Sequence, residues 1–110
     1  MKTISFRIDK YRIRLYGADN KGARTRWGDK AIDLYSEGTL IGEAVFAAEG
    51  ESPPDSFFAE GKIHYFASNS QYPVVINLLR NEKYVTLNWK PVSDPREPGD
   101  GDAFFETGDP

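Results

Sequence analysis

A chain of 110 residues with 39% hydrophobic and 28% charged residues has the size and composition of one globular domain. It contains no cysteine, which excludes disulfides, thiolate nucleophiles and cysteine-based zinc sites. The formal net charge of −3 is unevenly spread: residues 1–30 hold nine Lys/Arg against three Asp, residues 31–91 four against eight Asp/Glu, and residues 92–110 one against six.

Ile4, Phe6 and Ile8 alternate with Ser5 and Arg7, and Tyr11, Ile13 and Leu15 alternate with Lys10, Arg12 and Arg14. Both runs predict strand, but the apolar parity flips between Ile8 and Tyr11. One extra residue at Asp9–Lys10 reverses every later side chain, so one long strand with a bulge is expected there. A hairpin is disfavoured because Asp9–Lys10 lacks the Gly or Asn of a two-residue turn. Residues 17–29 predict a loop with three glycines, Lys21, Arg24, Arg26 and a single large apolar group, Trp27. Strand resumes over 31–36, and Glu37–Gly38 fits a tight hairpin turn into a strand over 39–48. Both faces of that strand are partly apolar, which predicts a central position. Gly42 and Ala44 leave room there for a bulky neighbour.

The segment EGESPPD, 49–55, is a loop, because two prolines and three acidic residues are poor ladder members. Residues 56–67 predict a strand pair or one strand broken at Gly61. Ser68, Asn69 and Ser70 are capping material for a helix over about 73–81. Pro73 suits its first turn, where a missing N–H costs nothing. Val75, Ile76, Leu78 and Leu79 form its apolar stripe. They are expected to meet strand residues such as Phe46, Ile63 and Leu87. From Tyr84 the period changes to two, with Val85, Leu87 and Trp89 facing one way. Residues 92–110 are acidic and rich in Gly and Pro, with Ala103, Phe104 and Phe105 as their main apolar content. They predict an extended or disordered tail after a folded body of 1–91.

These elements predict an α+β domain: an antiparallel sheet of five or six strands, flat or curled into a partial barrel, with one short helix. No apolar stretch approaches the roughly 20 residues of a membrane span. The N-terminal MKTISFRIDKYR has no apolar run of signal-peptide length. The expected setting is therefore soluble and cytoplasmic, away from membranes.

The basic N-terminal third is the best functional lead. Lys10, Arg12 and Arg14 share a strand face, and Arg24, Arg26 and Trp27 follow in the loop. Arginines beside an aromatic ring suit the phosphates and bases of single-stranded nucleic acid, or another anionic ligand. Against this, the sequence pI is about 5.1, whereas dedicated nucleic-acid domains are usually basic. The simpler expectation is that these cations pair with acidic residues across the sheet. Phe104 and Phe105, adjacent in a polar stretch, are candidates for contact with a protein partner or a second copy. Asp33, Glu43 and Glu60 could run acid–base chemistry with His64, the only histidine. Alternate residues on the solvated face of an antiparallel sheet are expected to be polar, which accounts for these carboxylates more simply. No catalytic residue, metal ligand set or cofactor motif is assigned. The leading expectation is a non-catalytic module acting through protein contacts, with a homodimer among the options. An anionic-ligand binder comes second and a small carboxylate enzyme third.

The stretch YPVVINLLRNEK, 72–83, followed by a strand and then REPGDGD, 96–102, resembles a group of small bacterial proteins. In that group a Pro-led apolar helix ends in LLRNEK and the chain finishes near an EPVGEGE-like segment. Tyr84 stands where the group has proline, and the valine of the tail motif is absent. The resemblance covers about a third of the chain. It implies a bacterial, stand-alone domain and carries over no catalytic residue.

Overall fold

The computed structural model describes residues 3–16, 29–91 and 101–108. Within them the chain is α+β, with eight strands in two sheets and one α-helix. Strands β1 (Ile4–Arg7), β7 (Val85–Pro91) and β8 (Gly101–Thr107) form one sheet in the order β1-β7-β8. Strands β2 (Lys10–Leu15), β3 (Lys30–Ser36), β4 (Thr39–Phe46), β5 (Phe57–Ala59) and β6 (Lys62–Ala67) form the other, in the order β2-β3-β4-β6-β5. Helix α1 (Tyr72–Asn81) lies between β6 and β7 in the chain. The pairs are antiparallel except β4–β6, which is parallel.

The two N-terminal runs are separate strands in different sheets, where one continuous kinked strand was expected. Ile8 N–H donates to Val85 O at 2.8 Å and so ends the first ladder. Asp9 N–H donates to Tyr35 O at 3.0 Å and so starts the second. Lys10 also lies opposite Tyr35, so two residues oppose one, the arrangement of a bulge. The parity flip is therefore where the chain crosses from one sheet to the other, a corner that bulged strands commonly make.

Two Glu-Gly turns close the hairpins. Glu37 and Gly38 have φ of 50° and 82°, and Glu60 and Gly61 have 54° and 76°. Positive φ at both central residues gives a turn whose twist matches that of the flanking strands. The second turn resolves 56–67 as a strand pair. Helix α1 begins without a side-chain cap and is fed instead by a 3-10 turn, Asn69–Gln71. It ends where Glu82 turns extended and its N–H still reaches Leu78 O at 3.0 Å.

The core lies between the two sheets and the helix. Ile32, Leu34, Ala44, Phe46, Ile63, Val75, Val85, Leu87 and Trp89 are buried together. Ile76 and Leu79 pack on this cluster, partly exposed. Tyr72 meets Phe46 edge-on at 5.2 Å between ring centroids. Strand β4 is the middle strand of five, as its doubly apolar pattern indicates. A Cβ at Gly42 would collide with the Ile63 carbonyl oxygen and approach Leu87 Cδ2 to 3.0 Å, so this glycine permits close strand packing.

The C-terminal stretch requires a correction. Residues 101–107, expected in a tail, pair with β7 through seven positions, from Val85↔Thr107 to Pro91↔Gly101. Ala103 and Phe105 alternate toward the core, and Phe105 meets Tyr65 edge-on at 4.9 Å. Acidic content disguises this strand, yet charge is common on edge strands because it discourages unwanted pairing. Residues 92–100 lie outside the described residues.

A charged row leading to an open sheet edge

The register of the five-stranded sheet carries one row of residues across all its strands. Arg12 lies opposite Asp33, Asp33 opposite Glu43, Glu43 opposite His64, and His64 opposite Phe57. Residues opposite one another in adjacent strands share a face. This face is turned away from the main core, since Ile32, Leu34 and Ala44, of opposite parity, belong to that core. Beside the row, Ala31, Val45 and Phe66 form a second, smaller buried cluster.

The side chains along the row are bonded in sequence. Arg12 Nε and Nη2 donate to Asp33 Oδ2 at 3.3 and 3.1 Å. Arg14 Nη2 donates to Asp33 Oδ1 at 3.0 Å and to Glu43 Oε2 at 3.3 Å. Glu43 Oε1 meets His64 Nδ1 at 2.9 Å. The Phe57 ring stacks on the imidazole at 4.4 Å. Arg14 also donates to the Tyr16 hydroxyl.

Electrostatics explains the order. Asp33 is only 6% exposed, and a buried carboxylate is tolerated where cations pair with it. Burial works against the charge of Arg14, but attraction and hydrogen bonding to Asp33, with a smaller part from Tyr16, outweigh it. The guanidinium is held above its ordinary value. Arg14 Nε is buried with no hydrogen-bond partner among the described residues, so the bonds at its other nitrogens must offset that loss.

The cations expected to form an anion-binding stripe are thus partly engaged. Arg14 has a side chain 30% exposed and shared between two carboxylates. Arg12 is 66% exposed while still bonded to Asp33. Lys10 lies 5.8 Å from the centre of the Tyr35 ring. Arg24, Arg26 and Trp27 lie outside the described residues. Phe104 lines a cleft with Gln71, Val74 and Leu78, and Phe105 packs edge-on against Tyr65. Glu60 sits in the turn before β6, apart from the row. His64 has the orienting carboxylate that acid–base chemistry uses, in Glu43. Among the described residues it is not part of the lining of five clefts of about 230–490 Å³. Among the described residues no three His, Asp or Glu converge as a metal site.

The row ends at β2, which is an edge strand among the described residues. Tyr16 N–H donates to Asp29 O at 2.9 Å, in phase with the β2–β3 ladder. Hydrogen-bonded pairs alternate along an antiparallel ladder, so the even-numbered residues of β2 bond to β3. The odd-numbered Tyr11, Ile13 and Leu15 turn their N–H and C=O groups outward. Ile13 is 41% exposed and Leu15 66%. Among the described residues the edge therefore offers outward backbone groups, two exposed apolar side chains on one face and Lys10, Arg12 and Arg14 on the other. The alternation of Lys10–Leu15 is legible in the sequence; its edge position is not, because that depends on which strands pair. No protein-family model, curated protein or solved structure matches the chain.

Proposed function

We propose that this protein is a small, non-catalytic interaction module that binds an extended segment of another protein along the open edge of β2. One observation supports this above the others: β2 ends its sheet with outward backbone groups beside exposed Ile13 and Leu15. An extended segment completes such an edge by main-chain hydrogen bonds, and alternate side chains supply specificity. A cytoplasmic setting fits the absence of cysteine, and no described helix is long and apolar enough to cross a membrane.

The edge favours a foreign partner over a second copy. Two copies pairing antiparallel through β2, in any register that continues the sheet and overlaps its centre, place basic residues opposite basic residues. With Ile13 opposite Ile13, Arg12 faces Arg14; one step along, Arg12 faces Arg12 and Lys10 faces Arg14. Like charges directly opposite destabilise a sheet pair.

The test is a selection of peptides from a random extended library on the immobilised protein, followed by amide NMR of the protein with the selected peptides. Shifts confined to residues 10–15 and their β3 neighbours are expected. Selected peptides that perturb other surfaces and leave β2 unchanged overturn the proposal.

A further inference from the structure

We infer that the segment bound at β2 is an acidic–apolar strand, one that alternates Asp or Glu with aliphatic or aromatic residues. This rests on the reading of β2 as a binding edge and adds the partner's chemistry and register.

Hydrogen-bond phase fixes the geometry. Tyr11, Ile13 and Leu15 point their backbone groups outward, so an added antiparallel strand forms its hydrogen-bonded pairs with them. Lys10, Arg12 and Arg14 then occupy non-hydrogen-bonded pairs, where opposing Cα atoms come closest, at about 4.5 Å. Side chains opposite the three cations are thus held at short range, and carboxylates there meet opposite charge. On the other face the partner's alternate residues lie opposite Tyr11, Ile13 and Leu15. Apolar groups there cover the exposed Ile13 and Leu15.

The charged row behind the edge supports the same chemistry. Asp33 and Glu43 hold Arg14 in place between them, and Asp33 alone fixes one edge of the Arg12 guanidinium. Positioned arginines lose less freedom on meeting a carboxylate than free ones do. Among the described residues the row holds two carboxylates, Asp33 and Glu43, against the three cations of β2, which leaves cationic charge at the edge for a partner to meet. A basic strand would meet like charge at every second position. A nucleic acid strand could use the cations but would leave the outward N–H and C=O groups and Ile13 uncovered.

The probes are a synthetic peptide alternating Glu with Val, the same peptide with Lys for every Glu, and a single-stranded oligonucleotide. Amide shifts of Tyr11 to Leu15 are followed in the full-length protein at low and physiological salt. The Glu-Val peptide is expected to shift these amides and to bind at least about tenfold more tightly than the Lys-Val peptide, with the gap narrowing as salt screens the charges. Arg12→Gln should narrow the gap further, and the unchanged remainder of its spectrum shows that the variant is folded. Equal binding of the two peptides at β2 overturns the acidic preference while leaving the edge as a binding site. Failure of every peptide to move these amides overturns both. Stronger shifts of the same amides by the oligonucleotide than by the Glu-Val peptide overturn the inference in favour of nucleic acid.

Discussion

Two residues show how burial sets ionisation and bonding here. Tyr65 sits between Phe46, at 6.4 Å, and Phe105, at 4.9 Å, and burial raises its phenol above the ordinary value of 10.0. In the unfolded chain the phenol ionises near pH 10. The folded protein therefore keeps a proton that the unfolded chain has lost, and stability falls as pH rises above about 10. Below that pH both states are neutral and the group contributes no slope. Tyr65→Phe should accordingly lose less stability than the parent between about pH 10 and 11, measured by urea unfolding at stepped pH. Identical slopes would mean that the phenol ionises equally in both states. Asn88 illustrates the other rule, that a buried polar group finds partners. It accepts from Ser5 Oγ at 2.5 Å and donates to Thr86 Oγ1 at 3.1 Å and Phe104 O at 3.3 Å. One buried amide thus ties together all three strands of its sheet.

At the scale of elements, local chemistry and close approach act together. The helix stands where Pro73 and the Val75, Ile76, Leu79 spacing put it. Its centre of burial is Val75, at 2% exposure, whereas Leu79 packs at the margin. Strand β4 depends on a glycine as much as on its apolar residues. Gly42→Ala would press a methyl group onto the Ile63 carbonyl and against Leu87 Cδ2. Overpacking of this kind costs about 1–3 kcal/mol, to be read from the shift in urea midpoint. A change below about 0.5 kcal/mol would show that β6 can yield at no expense. The Glu37–Gly38 turn was open to sequence reasoning because glycine accepts positive φ readily, whereas at Gly61 the structure decided for a turn, with positive φ at Glu60 and Gly61, over a broken strand.

For the whole molecule, β8 decides how the three-stranded sheet is completed. It lies along β7 over seven residues and brings Ala103 and Phe105 to the core. Ending the chain at Pro91 should cost at least about 1.5 kcal/mol, the low end for covering one large apolar side chain, because it removes the partly buried Phe105 and Ala103. Chemical unfolding of the truncated protein, followed by tryptophan fluorescence of Trp89, reads this directly. An unchanged midpoint would mean that β8 adds no stability to the sheet. The outcome also bears on the acidic C-terminal composition, which here coexists with a paired strand.

What the sequence determined by itself is local. Period two marks β1, β2 and β7, period 3.6 marks α1, and Glu37–Gly38 marks a turn, since each depends only on neighbouring residues; Gly61 marked only a strand pair or a break. The central place of β4 also followed, because a strand apolar on both faces must be covered on both. Tertiary structure alone decided the partners. Alternation is the same in parallel and antiparallel strands, so nothing local announces that β4 and β6 run parallel. Nothing local shows that β1 and β2 belong to different sheets, or that GDAFFET joins β7. The row from Arg12 through Asp33, Glu43 and His64 to Phe57 has the same origin. Its members are spread over 53 positions of the chain and meet only because four strand registers coincide. Register is set by burying one face of every strand at once, a condition on the whole sheet that no single segment contains.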